Sequence, residues 1–146
     1  MSNTGSNDDT FTLYFDGACR GNPGRGGYGG IIKTVNEPQS TVLTYNGAID
    51  YCTNNYSEYT ALLNGLKNAL FYKIQSINVY GDSQLVVKQM NGDYKINSEN
   101  LKPLYEECKE LANQFEKITF NYIPRKQNKT ADELANQGLD SCNIWH

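Results

Sequence analysis

The chain has 146 residues, 16 acidic against 13 basic, giving a net charge of −3, with 38% hydrophobic and 20% charged residues. That size and balance fit one globular domain with a single core. They exclude a helical membrane span, since no apolar run is long enough to cross a bilayer, and a strongly basic, tight non-specific nucleic-acid binder.

Met1 to Thr10 is polar and acidic and reads as a disordered leader rather than a signal peptide. Phe11 to Ala18 alternates apolar and polar residues, which predicts a strand. Gly21-Asn22-Pro23-Gly24-Arg25-Gly26-Gly27 is a dense turn signal. Tyr28 to Val35 and Thr41 to Ile49 read as a second and third strand around the Asn36-Glu37-Pro38-Gln39 turn, so the three form an antiparallel meander. The spacing of Tyr59, Leu62, Leu63, Leu66, Ala69 and Leu70 predicts a helix, with Asn54 or Asn55 as its cap. Ile77 to Gly81 reads as a short buried strand, and Ser83 to Met90 as a short helix broken by Asn91-Gly92-Asp93. The next helix is expected to start between Asn97 and Asn100 and to run through Leu104, Cys108 and Leu111, with Pro103 in its first turn. Ile118 to Ile123 is the fifth strand and Pro124 to Lys129 a loop; Thr130-Ala131-Asp132-Glu133 reads as a capping box opening the last helix. The order β-β-β-α-β-α-α-β-α implies an α/β fold. Its mixed five-stranded sheet has the meander on one side, parallel crossovers to the fourth and fifth strands, and helices on both faces.

Four acids fall where this order could bring them together. Asp16 and Asp82 sit at or just after the C-terminal ends of strands, the edge where open α/β sheets bind ligands. Glu58 and Asp132 lie in first turns of helices, where the dipole favours negative charge. Singly, each reads as a solvated or helix-stabilising charge rather than a catalytic one. Together they would repel strongly without a cation, and hard divalent ions prefer oxygen ligands. That combination suggests phosphodiester hydrolysis by two metal ions. With these four set aside, 12 acidic residues face 13 basic ones. The remaining surface is near neutral, which predicts modest, salt-sensitive nucleic-acid binding.

Four runs carry a resemblance: Tyr14-Phe15-Asp16-Gly17-Ala18-Cys19-Arg20-Gly21-Asn22-Pro23-Gly24, Thr53-Asn54-Asn55-Tyr56-Ser57-Glu58, Tyr80-Gly81-Asp82-Ser83-Gln84, and Asn128-Lys129-Thr130-Ala131-Asp132-Glu133-Leu134-Ala135. In this order and spacing they resemble type 1 ribonuclease H, over about residues 11–140. The resemblance implies the ribonuclease H-like fold. It also implies an endoribonuclease that cuts the RNA strand of RNA–DNA hybrids, leaving a 3′-hydroxyl and a 5′-phosphate. Asp16, Glu58, Asp82 and Asp132 would be both catalytic residues and ligands of two Mg²⁺ ions, with Mn²⁺ able to substitute and Asp16 bridging. Asn22, Asn54, Asn55 and Gln84 would read the RNA strand, Cys19 and Gly21 would contribute backbone groups, and Thr53 would bind a DNA-strand phosphate. The expected partner is the hybrid duplex, bound by a monomer.

Two features depart from the well-known bacterial members. The segment Asn91-Gly92-Asp93-Tyr94-Lys95-Ile96 is short and carries a single lysine where those members have a basic protrusion. The loop before the last helix has Arg125 where many members have a histidine. Arginine stays protonated and cannot be a general base, so Arg125 reads either as a residue that binds phosphate or assists product release or as a plain solvated charge. This loop resembles the archaeal, plant-like and retroelement-like branch, some members of which also cut double-stranded RNA. The rival readings are a non-catalytic nucleic-acid-binding module, the ribonuclease H domain of a reverse transcriptase, and another nuclease of the superfamily.

Cys19, Cys52, Cys108 and Cys142 form no CxxC pair, which argues against structural zinc and for free, buried thiols in a reducing, intracellular compartment such as cytoplasm, nucleoid or nucleus. Cys142 is the candidate to pin the tail by a bridge. Residues 141–146 read as a C-terminal tail, carrying Trp145 and the single histidine, His146.

Overall fold

The computed structural model describes residues 9–36 and 38–141. Of the leader expected over Met1 to Thr10, Met1 to Asp8 lie outside these, as do Cys142 to His146 of the tail expected over 141–146 and Glu37 of the second turn; Ser141 is the last residue of the final helix. Strands β1 (Phe11–Gly21), β2 (Gly24–Thr34) and β3 (Thr41–Cys52) form the meander. Helix α1 (Asn54–Phe71), strand β4 (Ser76–Gly81), helices α2 (Gln84–Met90) and α3 (Lys102–Ala112), strand β5 (Lys117–Tyr122), a 3₁₀ turn (Arg125–Gln127) and helix α4 (Lys129–Ser141) follow. The sheet order is β3-β2-β1-β4-β5, with β1 antiparallel to β2 and parallel to β4, and β4 parallel to β5. The expected mixed sheet is therefore present.

Alternation along β1 sends Leu13 and Phe15 to one face, where they join Tyr59, Leu62 and Leu66 of α1 and Ile77 and Val79 of β4 in the main core. Complete burial of each such leucine contributes about 1.5–3 kcal/mol. Helix α4 packs on the opposite face, against β1, β2 and β3. It approaches so closely that a Cβ on Gly27 or Gly29 would overlap its backbone at Ala135. This explains one difference from the sequence reading. Gly24 to Gly27 are not part of the turn but the first part of β2, where Gly27, like Gly29 further on, leaves room for the helix. The turn itself shrinks to Asn22-Pro23, with Gly21 at φ +84°, where glycine alone is unstrained.

Three helix starts also differ. Thr53, not Asn54 or Asn55, caps α1: its side chain accepts from the Tyr56 N–H at 3.2 Å. Helix α3 begins only at Lys102, because residues 98–101 form a turn in which the Ser98 carbonyl accepts from both Leu101 and Lys102. Pro103 then sits in the first turn, where no N–H is needed. Helix α4 begins at Lys129, since the Asn128 carbonyl already accepts from the Asp132 N–H at 3.0 Å. Thr130 is thus inside the first turn and caps nothing. Cys19, Cys52 and Cys108 are free thiols; Cys142 lies outside the described residues. Among the described residues no helix is long and apolar enough to cross a membrane.

Candidate active site

At the C-terminal edge of β1 and β4 the two strands stop pairing after Tyr14 and Tyr80. Asp16 follows on β1 and Asp82 just past the end of β4, at the two lips of that fork. Glu58 enters from the start of α1 and Asp132 from the first turn of α4. All four line one cleft of about 420 Å³, together with Gly17, Cys19, Asn54, Ser83, Arg125 and Asn136. Carboxylate oxygens of Asp16, Glu58 and Asp82 lie within 4.8 Å of one another.

Gly17 makes the closest part of this cluster possible. Its N–H donates to Asp16 Oδ1 at 2.9 Å and to Glu58 Oε1 at 3.1 Å, so one donor serves two carboxyls. A Cβ at Gly17 would collide with the Ser57 side chain and the Glu58 backbone, so only glycine lets α1 come this near to β1. Asp16 is 3% exposed. Burial, then the charge of Asp82 and a contact with Asp132, push its carboxyl up to about 8 from an ordinary 3.8. Burial and the neighbouring Asp16 and Asp82 likewise hold Glu58 well above the usual carboxylate range.

The other two acids have amide donors of their own. Asn128 Nδ2 donates to Asp82 Oδ2 at 3.1 Å. Asn136 Nδ2 donates to the Asp132 carbonyl at 2.9 Å and to Asp132 Oδ1 at 3.3 Å. The Arg125 guanidinium stands 3.7 Å from Asp132 Oδ1 with its side chain 80% exposed, at the mouth of the cleft.

The expected substrate residues divide. Cys19 and Asn54 line the cleft. Cys19 contributes more than backbone: its thiol, with a single proton to donate, sits between the Gly21 carbonyl at 2.6 Å and the Cys52 carbonyl at 3.0 Å, bracing the β1–β2 turn. Asn22 Oδ1 accepts from the Asn54 N–H at 3.0 Å, which ties that turn to the start of α1. Thr53 spends its hydroxyl on the cap and faces a neighbouring groove with Pro23, Tyr51 and Tyr56. Gln84, exposed on α2, lines a separate groove with Asn121 and Tyr122 rather than the acid cleft. Asn55 is half-buried in the first turn of α1 and outside the cleft lining. Gly17, Asn128 and Asn136 were not singled out from sequence. Asn128 was legible only as a capping residue four positions before Asp132, a signal that the Thr130 pattern obscured.

A family described as reverse transcriptase-like matches residues 14–138. The bifunctional protein Rv2228c of Mycobacterium tuberculosis is 42% identical over 87% of this chain, which spans only 35% of that relative. The solved N-terminal RNase H domain of that protein superposes with a TM-score of 0.89 at 36% identity, covering 94% of this chain and 98% of the domain fusion chain matched. Ribonuclease H of Coxiella burnetii is 34% identical, with 88% of each chain covered. LC11-RNase H1, solved in complex with an RNA/DNA hybrid, is 33% identical with a TM-score of 0.83 over 90% of this chain and 98% of its own. With these matches running nearly the full length of the fold, the chain belongs to the type 1 ribonuclease H family.

Proposed function

We propose that this chain is an endoribonuclease that hydrolyses the RNA strand of RNA–DNA hybrids, leaving 3′-hydroxyl and 5′-phosphate ends. The observation that carries this reading is the convergence of Asp16, Glu58 and Asp82 within 4.8 Å, with Asp132 on the same cleft. The relative LC11-RNase H1, which binds such a hybrid, supports the substrate class.

The donor set fits a hard divalent cation. It is all oxygen, and the raised Asp16 and Glu58 carboxyls are the response expected of a cluster whose charge is not yet balanced. Asp16, Glu58, Asp82 and Asp132 would hold Mg²⁺, or Mn²⁺ in its place, and two such ions would supply the Lewis acidity that activates water and neutralises the leaving 3′ oxygen. The chain's own groups do the rest. The shared Gly17 N–H fixes Asp16 against Glu58. Asn54, at the cleft wall, offers an amide with donors and an acceptor to a 2′-hydroxyl. Arg125 presents a permanent positive charge to the phosphate at the cleft mouth.

Cleavage of three end-labelled duplexes, RNA–DNA, RNA–RNA and DNA–DNA, in Mg²⁺, Mn²⁺ or chelator tests the reading. Hybrid cleavage that chelator abolishes is expected. Cleavage of the DNA duplex, or hybrid binding without cleavage in either metal, overturns it. The RNA duplex arm fixes how strict the hybrid preference is.

A further inference from the structure

Asn128 is the one fully buried amide at the acid cluster, 1% exposed. Both protons of its Nδ2 are committed: one to the Phe15 carbonyl at 2.9 Å, the other to Asp82 Oδ2 at 3.1 Å. Both partners are acceptors, so the orientation of the amide is not ambiguous. Phe15 is the residue before Asp16, just past the last β1–β4 pair, Tyr14–Tyr80. The Asn128 carbonyl accepts from the Asp132 N–H at 3.0 Å and so opens α4. One residue thus touches β1 beside Asp16, the carboxylate of Asp82 and the turn that carries Asp132. Its Oδ1 is buried and finds no hydrogen-bond partner among the protein groups. A residue selected only to fill this space would carry no orphaned acceptor. The amide is needed for its two donors.

We propose that Asn128 is a positioning residue that sets the spacing of the acid cluster, holding the Asp82 carboxylate at a fixed distance from Asp16 and Asp132. The proposal rests on the reading of these acids as a divalent-cation centre. Partners that orient metal-binding carboxylates act in this way, and their loss typically lowers affinity 10- to 100-fold. A leucine of similar bulk offers no donor, and an aspartate would face Asp82 with a like charge.

The test is Mg²⁺ binding by titration calorimetry on the whole chain without nucleic acid, alongside hybrid-cleavage kinetics. Asn128→Ala should weaken Mg²⁺ binding about 10- to 100-fold. Its kcat should fall at low Mg²⁺ and recover at high Mg²⁺, with KM for the hybrid unchanged. Asn128→Ser keeps one donor and should fall between. If Asn128→Ala is too unstable to purify, the comparison of Asn128→Ser with wild type carries the test. Asn121→Ala is the control. Asn121 also donates to a strand carbonyl, that of Val79, at 3.1 Å, but touches none of the acids. It should leave Mg²⁺ binding unchanged. Wild-type Mg²⁺ affinity in both Asn128 variants, or an equal loss in Asn121→Ala, rejects the positioning role and leaves the acid centre standing. Absence of saturable Mg²⁺ binding by the wild type rejects the cation centre itself, and the positioning role with it.

Discussion

Asp16 and Glu58 on the one hand, and Asp82 and Asp132 on the other, are stabilised in different ways. The first pair shares a single backbone donor, the Gly17 N–H, and sits where burial raises both carboxyls. In the second pair each acid has an amide of its own, Asn128 or Asn136, and Asp132 has a cation at 3.7 Å. The unmet demand for positive charge is therefore concentrated at Asp16 and Glu58. The second pair is supported from behind, by residues that tune geometry. Substitutions in the first pair should remove a cation ligand outright, and those behind the second pair should weaken cation binding by loosening its ligands.

The largest effect is expected at Asp16. Asp16→Asn should lower hybrid cleavage in Mg²⁺ by more than about 100-fold, since removing a ligand should exceed the cost of removing a ligand's partner. Hybrid binding should stay within a few-fold of wild type. Wild-type cleavage by this variant would falsify the assignment.

The same variant tests the electrostatics without substrate. A carboxyl whose pKa is higher folded than unfolded binds more protons in the folded state between the two values. For Asp16 the stabilising contribution is complete below about 3.8 and is lost as pH rises through about 8. Metal-free protein should thus lose stability between pH 5 and pH 8. Asp16→Asn should shrink that loss and gain about 1–3 kcal/mol at pH 8, one pKa unit being about 1.4 kcal/mol. Saturating Mg²⁺ should shrink the loss in wild type as well. Urea unfolding in chelator at the two pH values measures this. A loss of the same size in both proteins would show that Asp16 is not where the repulsion resides.

The contrast between the pairs also marks what the sequence could and could not tell. The order of elements along the chain, the mixed sheet with parallel crossovers and the four candidate acids were legible, because alternation, helical spacing and turn residues are local signals. The meaning of Gly24 to Gly27 was not. These glycines read as a turn until α4 is known to press on Gly27 from Ala135. Gln84, which the resemblance places among the RNA-reading residues, lies on α2 in a neighbouring groove, a position its closeness to Asp82 in sequence does not reveal. Asn128 was hidden for a related reason. A cap is a local feature, whereas its bonds to Phe15 and Asp82 span 113 and 46 residues.

Behind the second pair a smaller effect separates the two amides. Asn136 is exposed and reaches Asp132 Oδ1 only at 3.3 Å. Exposed bonds of this kind are close to balanced by water. Asn136→Ala should lower kcat by no more than about threefold, against the larger loss expected for Asn128→Ala. Equal losses in the two would mean that burial of the Asn128 amide adds nothing to the placement of the acids.

The smallest effect on the chemistry should come from Arg125. Its side chain is 80% exposed and its contact to Asp132, at 3.7 Å, is long, so the ion pair contributes little to the fold. Stability of Arg125→Ala should stay within about 0.5 kcal/mol of wild type. What the arginine adds is a charge at the cleft mouth, which on the proposed function would meet the phosphate backbone. A lost phosphate contact lowers the slope of log affinity against log salt by about 1. Hybrid affinity of Arg125→Ala should therefore fall a few-fold at low salt and converge on wild type as salt rises, while Arg125→Lys keeps most of the slope. If instead kcat drops at every salt concentration and the slope does not move, Arg125 acts on the acids through Asp132 and not on the substrate. The second pair would then have three supports rather than two.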